Sequence, residues 1–202
     1  MTPEPSQIPV GHTVARTRAE GPGERYALWV QGCPLRCPGC CNPELLPFAG
    51  GRAVATDDLV REILAEPGLE GLSLLGGEPF AHAAPLARLA VAVRARGLSV
   101  MVYSGYRRDE LAAMATRGEP GVAELLAATD LLVDGRYDRT RPDTRRRWIG
   151  STNQVLHFLT ARYAPDDPAF LAPNTVEIRF DPATRAAVIH GWPALAAELV
   201  RR

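Results

Sequence analysis

The sequence predicts an α/β fold with mostly parallel strands and helices on the outside. Two observations carry this. Short apolar runs of strand type alternate with stretches whose apolar residues recur at helical spacing. The groups best suited to ligand chemistry fall directly after the apolar runs, where parallel sheets place their ligands. These groups are a cysteine-rich loop, Gly76-Gly77-Glu78, Ser104 and Asp134.

Residues 1–20 mix Pro, Gly, Thr and Arg without period and read as a loose lead-in. Gly21-Pro22-Gly23 is a turn signal before a first strand, Arg25 to Gln31. The cysteine loop follows over 32–50. Thr56 is placed to cap a helix whose first turn holds Asp57 and Asp58, matching the positive end of the helix dipole. Leu59, Val60, Ile63 and Leu64 form its apolar stripe. Leu72 to Leu75 reads as a strand. Pro85 to Arg96 reads as a helix stopped by Gly97. Leu98 to Tyr103 is the next strand, followed by helical pattern over 108–117 and 121–128, then the strand Leu131 to Asp134. An arginine-rich loop spans 136–147, and Val155 to Leu159 is a further apolar run. The tail predicts a hairpin, Thr175 to Phe180 with Ala186 to His190, turned by Asp181-Pro182, and a closing helix over 193–201.

The length, 202 residues, suits one domain over 1–202 with a sizeable core. Net charge is zero, which gives no argument for nucleic acid or a membrane surface as partner. No apolar run approaches the roughly 20 residues a spanning helix needs. The first ten residues lack the apolar stretch of a signal peptide, so the expected location is cytoplasmic. All 23 basic residues are arginine, which excludes a lysine Schiff base and hence lysine-bound pyridoxal phosphate.

Cys33, Cys37 and Cys40 stand at C-x3-C-x2-C spacing, with Gly and Pro between them to permit tight turns. Three thiolates on one loop can converge on a single metal centre. Three ligands to a four-iron cluster leave one iron open, and an open position is how a metal site meets a substrate. A structural zinc knot and a disulfide are the competing readings. Cys40 and Cys41 are adjacent, and no second CxxC lies at zinc-ribbon distance. Cys41 reads as a spare thiol, because a fourth ligand would close the open iron. Gly76-Gly77-Glu78 places a carboxylate beside backbone that a ligand can approach closely, suited to an ammonium group. Ser104 can bond a ribose hydroxyl or cap the next helix. Asp134 can meet a cation or ligand, or be a turn residue. The arginines of 136–147 can form a solvated face, a docking surface or a salt bridge to a ligand carboxylate. The four histidines have no metal-like spacing.

Six motifs occur in order. They are Gly21 to Arg25, Trp29 to Pro43, Gly76 to Phe80, Tyr103 to Tyr106 with Asp109 to Leu111, Leu132 to Gly135, and Gly150 to Gln154. The cysteine spacing resembles the radical S-adenosylmethionine (SAM) superfamily. The ordered set resembles its glycyl-radical-enzyme activases, in particular those of anaerobic ribonucleoside-triphosphate reductases, over about residues 20–160. The resemblance implies a partial (β/α) barrel of radical SAM type. It implies a 4Fe-4S cluster on Cys33, Cys37 and Cys40, and SAM on the open iron with Gly76, Gly77 and Glu78 at its methionine end. Backbone around Gly39 to Cys41 would line the adenosine, and Ser104 and Asp134 would join the cofactor site. An electron from flavodoxin or ferredoxin would cleave SAM, and the resulting 5′-deoxyadenosyl radical would take hydrogen from a glycine of the partner, the large reductase subunit. Two features depart from the family pattern: Cys41 stands where an aromatic or His is expected, and residues 161–202 extend beyond the minimal length. The rival functions are a radical SAM enzyme acting on another peptide or small molecule, and a non-catalytic cysteine-bound metal module.

Overall fold

The computed structural model describes residues 6–181 and 186–193. In chain order the elements begin with β1 (Gln7–Thr17), β2 (Arg25–Val30), β3 (Arg52–Ala55) and α1 (Thr56–Ala65). Then come β4 (Gly71–Gly76), α2 (Ala83–Arg94), β5 (Ser99–Tyr103), α3 (Arg108–Thr116), α4 (Val122–Ala127) and β6 (Leu131–Asp134). Finally come β7 (Val155–Phe158), α5 (Pro168–Leu171), β8 (Val176–Asp181) and β9 (Ala186–Gly191). The main sheet has seven strands in the order β3-β1-β2-β4-β5-β6-β7, and β8-β9 forms a separate hairpin.

The architecture is mixed α/β with a parallel centre. β2, β4, β5 and β6 run parallel, while β1 and β7 flank them antiparallel. The sheet is open, with β3 and β7 at its edges.

The central strands sort their side chains by parity, as a pleated strand must. Tyr26, Leu28, Val30, Leu72, Leu74, Val100, Val102 and Leu132 join one buried cluster with Leu59, Ile63, Leu86, Leu89 and Leu125 of the helices. Odd-numbered residues face the other way. Ala27, Trp29, Leu75 and Tyr103 form one patch there, and Met101, Leu131, Val133, Trp148 and Ile149 another. This second, inner face carries no helix of the α1–α4 set. The tail lies over it: Phe170 of α5 packs edge-on against Trp148 and Phe158, with ring centroids 5.4 and 5.0 Å apart.

Three expectations are corrected. The lead-in is not loose, because residues 7–17 form β1. Pro9, Gly11 and two register shifts obscure its alternation, and it is held by pairing on both sides, to β2 and β3. Thr56 is not a cap: it is the first residue of α1, and its hydroxyl donates to Ser6 O, tying the helix start to β1. Ser104 does not cap α3, whose cap position is Arg107. The hairpin forms as the sequence predicts, whereas the closing helix and the Asp181-Pro182 turn fall largely outside the described residues.

Candidate functional site

Three strand ends converge on the cysteine loop. The loop leaves β2 and closes on itself, with Gly32 N donating to Leu45 O at 2.9 Å and Cys33 N to Leu46 O at 3.1 Å. The Gln31 amide braces it by donating to Glu44 O and Pro47 O. The end of β4 is fastened to it: Gly77 N donates to Val30 O at 2.8 Å and Glu78 N to Gly32 O at 2.9 Å. A Cβ on Gly77 would lie 2.2 Å from Gly32 O, so only glycine lets these two backbones approach. After β5, a Cβ on Gly105 would meet the Leu35 side chain at 2.5 Å. The loop after β6 completes the rim, since Arg139 lies against Gly39.

Cys33 is buried, Cys37 and Cys40 are half-buried, and Cys41 is exposed. The Cys37 thiol is pushed up by burial and by Cys33, with Cys40 adding to this and Arg136 opposing it, so the three thiols share one neighbourhood. The neighbouring Cys41 thiol holds Cys40 down to about 6 and is itself raised by Cys40. Among the described residues, no three His, Cys, Asp or Glu side chains are gathered tightly enough to hold an ion as they stand. The donor chemistry nevertheless fits an iron–sulfur cluster: three soft thiols on one turn-rich loop, with a spare thiol beside them.

Glu78 is 1 % exposed and is the hub of the turn. Its Oε1 accepts from Phe80 N and the Ser104 hydroxyl, both at 2.9 Å, and its Oε2 accepts from Gly105 N at 2.8 Å. Burial raises its pKa to about 7 in spite of these bonds. Ser104 is therefore brought to Glu78, joining the ends of β4 and β5. Asp134 is turned toward α3: its Oδ2 accepts from Arg108 N at 2.6 Å. His157 Nε2 stands 3.0 Å from the same oxygen without the alignment of a hydrogen bond.

The chain matches known proteins in sequence. The family described as a 4Fe-4S single cluster domain matches residues 19–157. The anaerobic ribonucleoside-triphosphate reductase-activating protein of Escherichia coli K12 is 33 % identical over 147 residues, covering 69 % of this chain and 91 % of the relative. The protein of that name from Vibrio cholerae is 32 % identical over 149 residues, with the same shares. The one from Enterobacteria phage T4 is 30 % identical over 143 residues, covering 67 % and 85 %. The chain belongs to this activating-protein family. The metal-module and disulfide readings of the loop give way to a 4Fe-4S centre.

The inner face behind the family's cysteine loop holds groups whose roles sequence reasoning missed. Arg25 is fully buried and donates to five neutral oxygens, the hydroxyls of Ser73 and Ser99 and the carbonyls of Pro22, Leu72 and Ser99. Tyr163 of the tail bridges Ser99 and the Glu70 carboxylate, at 2.7 Å on each side. This network plugs the inner face where β2, β4 and β5 begin. Toward their other ends, Glu20 is 8 % exposed and accepts from Gly191 N of β9 at 2.8 Å. His190 stacks on His12, with centroids 5.6 Å apart and planes 16° apart, and leans on Trp29 at 5.7 Å. The motif Gly21 to Arg25 pointed at Arg25, but no local signal could have found Glu20 or His190.

Glu20 has a consequence for stability. Burial raises it from 4.5 to about 8. A raised carboxyl contributes its stabilisation fully below the unfolded value and loses it as pH climbs through the folded one. His190, lowered to about 4 by burial, acts in the opposite direction, losing stability only as pH falls below 6.5. Between pH 6.5 and 8 the apoprotein should therefore lose on the order of 1–2 kcal/mol through Glu20. Glu20→Gln retains the acceptor for Gly191 and should remove that loss, so its melting temperature should fall less, or rise more, than the wild type's across that interval. An unaltered slope would mean Glu20 is ionised in the folded protein.

Proposed function

We propose that this protein is the activase of an anaerobic ribonucleoside-triphosphate reductase, generating a glycyl radical on the large reductase subunit. Supporting this reading most directly is the fastening of the Gly76-Gly77-Glu78 turn to a three-cysteine loop in a chain of this family. Cys33, Cys37 and Cys40 would hold the 4Fe-4S cluster, and we read the open sheet as the partial barrel of radical SAM enzymes, built as one domain. When bound, cluster and SAM supply a carbon radical able to take hydrogen from a glycine Cα.

The chain's own residues bind, orient and exclude water. Gly76 and Gly77 let the turn lie against β2 and the cysteine loop, where the methionine end of SAM would bind. A carboxylate has about four acceptor positions. The three donors on Glu78 leave one on Oε2, which we assign to the SAM ammonium. Ser104 positions Glu78. Gly39 and Cys41 would flank the adenosine, and Asp134 would support the rim by fixing the start of α3. A flavodoxin or ferredoxin is the electron donor in this reading, and the cytoplasm its location. No described helix is long and apolar enough to cross a membrane. Electron paramagnetic resonance tests the function: SAM, a reductant and the reductase together should yield a glycyl radical, and its absence with an intact cluster would favour a different peptide or small-molecule substrate.

Glu78→Gln supplies a narrower test. The amide replaces an acceptor oxygen with a donor, so one of the three donors on Glu78 is left opposed. Losing a charge-assisted hydrogen bond costs roughly 1.5–3 kcal/mol. SAM affinity should fall by about one to two orders of magnitude at constant iron content, with a lower melting temperature. A SAM dissociation constant equal to the wild type would remove Glu78 from the site.

A further inference from the structure

The tail divides into two parts that differ in how they meet the body. Residues 162–174 are built in. Tyr163 completes the Arg25 network, Phe170 packs on the inner apolar patch, and Asn174 Oδ1 accepts from Trp148 N at 2.9 Å. The hairpin β8–β9 is attached differently. It pairs with no strand of the main sheet. Its polar side faces the body. Glu177 accepts from Arg18 N at 2.8 Å, Arg179 donates to Arg16 O, and His190, paired with Glu177, stacks on His12. Its apolar side faces out, with Ile178 60 % and Phe180 63 % exposed. A permanently fixed hairpin on a soluble protein is expected the other way round, apolar side in.

The inner face and the tail also carry unmatched polar atoms. Among the described residues, Tyr103 Oη, Arg147 Nε, His190 Nε2 and Trp192 Nε1 are buried without a hydrogen-bond partner. Tyr103 and Arg147 lie in the family-matched core, whereas His190 and Trp192 belong to the tail beyond residue 157. Buried polar groups in folded proteins are nearly always bonded, so the two in the tail at the end of β9 need a reason. An interface made of hydrogen bonds and stacked rings over unmatched polar atoms is one that opens at little cost. The hairpin also stands at the mouth of the site. Gly191 is bonded to Glu20, and Trp29 under His190 lies near the end of β2, four residues before Cys33.

We infer that the hairpin β8–β9 is a movable gate on the inner face, latched by Glu20–Gly191 and the His190–His12–Trp29 stack, that a substrate segment displaces to reach the cysteine loop. That the segment is the glycine-bearing loop of a reductase rests on the proposed function. The gate itself does not. With it open, Tyr103 and Glu20 would meet the incoming chain, whose carbonyls suit the unmatched Tyr103 hydroxyl.

The test uses full-length protein. Hydrogen exchange should be much faster in β8 and β9 than in β2 and β4 in the protein alone, and faster still when the large reductase subunit is added. Acrylamide quenching of Trp29, read in the cluster-free protein with Trp148→Phe and Trp192→Phe, should rise several-fold with His190→Ala. His190→Phe, which keeps a ring on the stack, should bring it back to the wild-type level. Exchange in the hairpin as slow as in β4, slower exchange there on adding reductase, or Trp29 quenching indifferent to His190→Ala would each overturn the gate. Fast hairpin exchange and His190-dependent quenching, with no change anywhere on adding reductase, would leave the gate standing and count against the activase reading instead.

Discussion

Replacing Cys33, Cys37 or Cys40 by alanine is expected to abolish cluster assembly and SAM cleavage, whereas Cys41→Ala should retain most of both. Thiolate is the ligand of iron in such clusters, and two remaining thiols cannot hold a four-iron unit in a fixed geometry. The structure sharpens the contrast between the two adjacent cysteines. Cys40 lies on the turn closed by its own N–H to Cys37 O at 3.2 Å, in the neighbourhood of Cys37. Cys41 is exposed and stands next to Cys40 in the chain. Cys41→Ala should therefore reach nearly full iron. Iron and sulfide content after anaerobic reconstitution decides the matter. Loss of the cluster in Cys41→Ala as complete as in Cys40→Ala would make Cys41 a ligand and close the open iron.

The parts of this fold that sequence made legible are those fixed by local rules. β4, β5 and β6 are buried on both faces, so each reads as a continuous apolar run, and each ends on polar or glycine residues. The cysteine loop and Gly76-Gly77-Glu78 follow such runs and meet as expected. What was not legible depends on distant partners. β1 is a strand because β2 and β3 flank it, not because its own residues alternate well. Ser104 could be read as a cap or a ligand contact because sequence does not show Glu78 buried beside it. Asp134 could be read as a cofactor contact because the backbone N–H of Arg108 that it accepts from is 26 positions away. The bond between Glu20 and Gly191 spans 171 positions, and nothing in either residue announces the other. The tail illustrates the same point. Its start is structural and its hairpin is loosely attached, so deleting 161–202 as a block would confound loss of Tyr163 with loss of the gate.

Gly77→Ala should be among the most damaging single substitutions outside the cysteines. A Cβ there would lie 2.2 Å from Gly32 O, 2.7 Å from Gly32 C and 2.9 Å from Leu45 O. All three are backbone atoms, and those of Gly32 and Leu45 are locked to each other by the bond that closes the cysteine loop. No side chain can rotate away to make room. Either the loop or the turn must shift, breaking the bonds from Gly77 N to Val30 O and from Glu78 N to Gly32 O. Overpacking costs typically 1–3 kcal/mol and each lost hydrogen bond about 1 kcal/mol, so a loss on the order of 3 kcal/mol is expected. For a chain of this size that is roughly 6–12 °C in melting temperature. Gly97→Ala is the control: its φ is +86°, but nothing lies within 4 Å of the added carbon. It should cost only the conformational strain of about 1 kcal/mol. Because the damage in Gly77→Ala falls on the cysteine loop, its iron content should fall along with its stability, while Gly97→Ala should load iron normally. If Gly77→Ala melts within a degree or two of Gly97→Ala and holds a full cluster, the turn is not fastened to the loop as described, and the role given to Gly76-Gly77-Glu78 in the site goes with it.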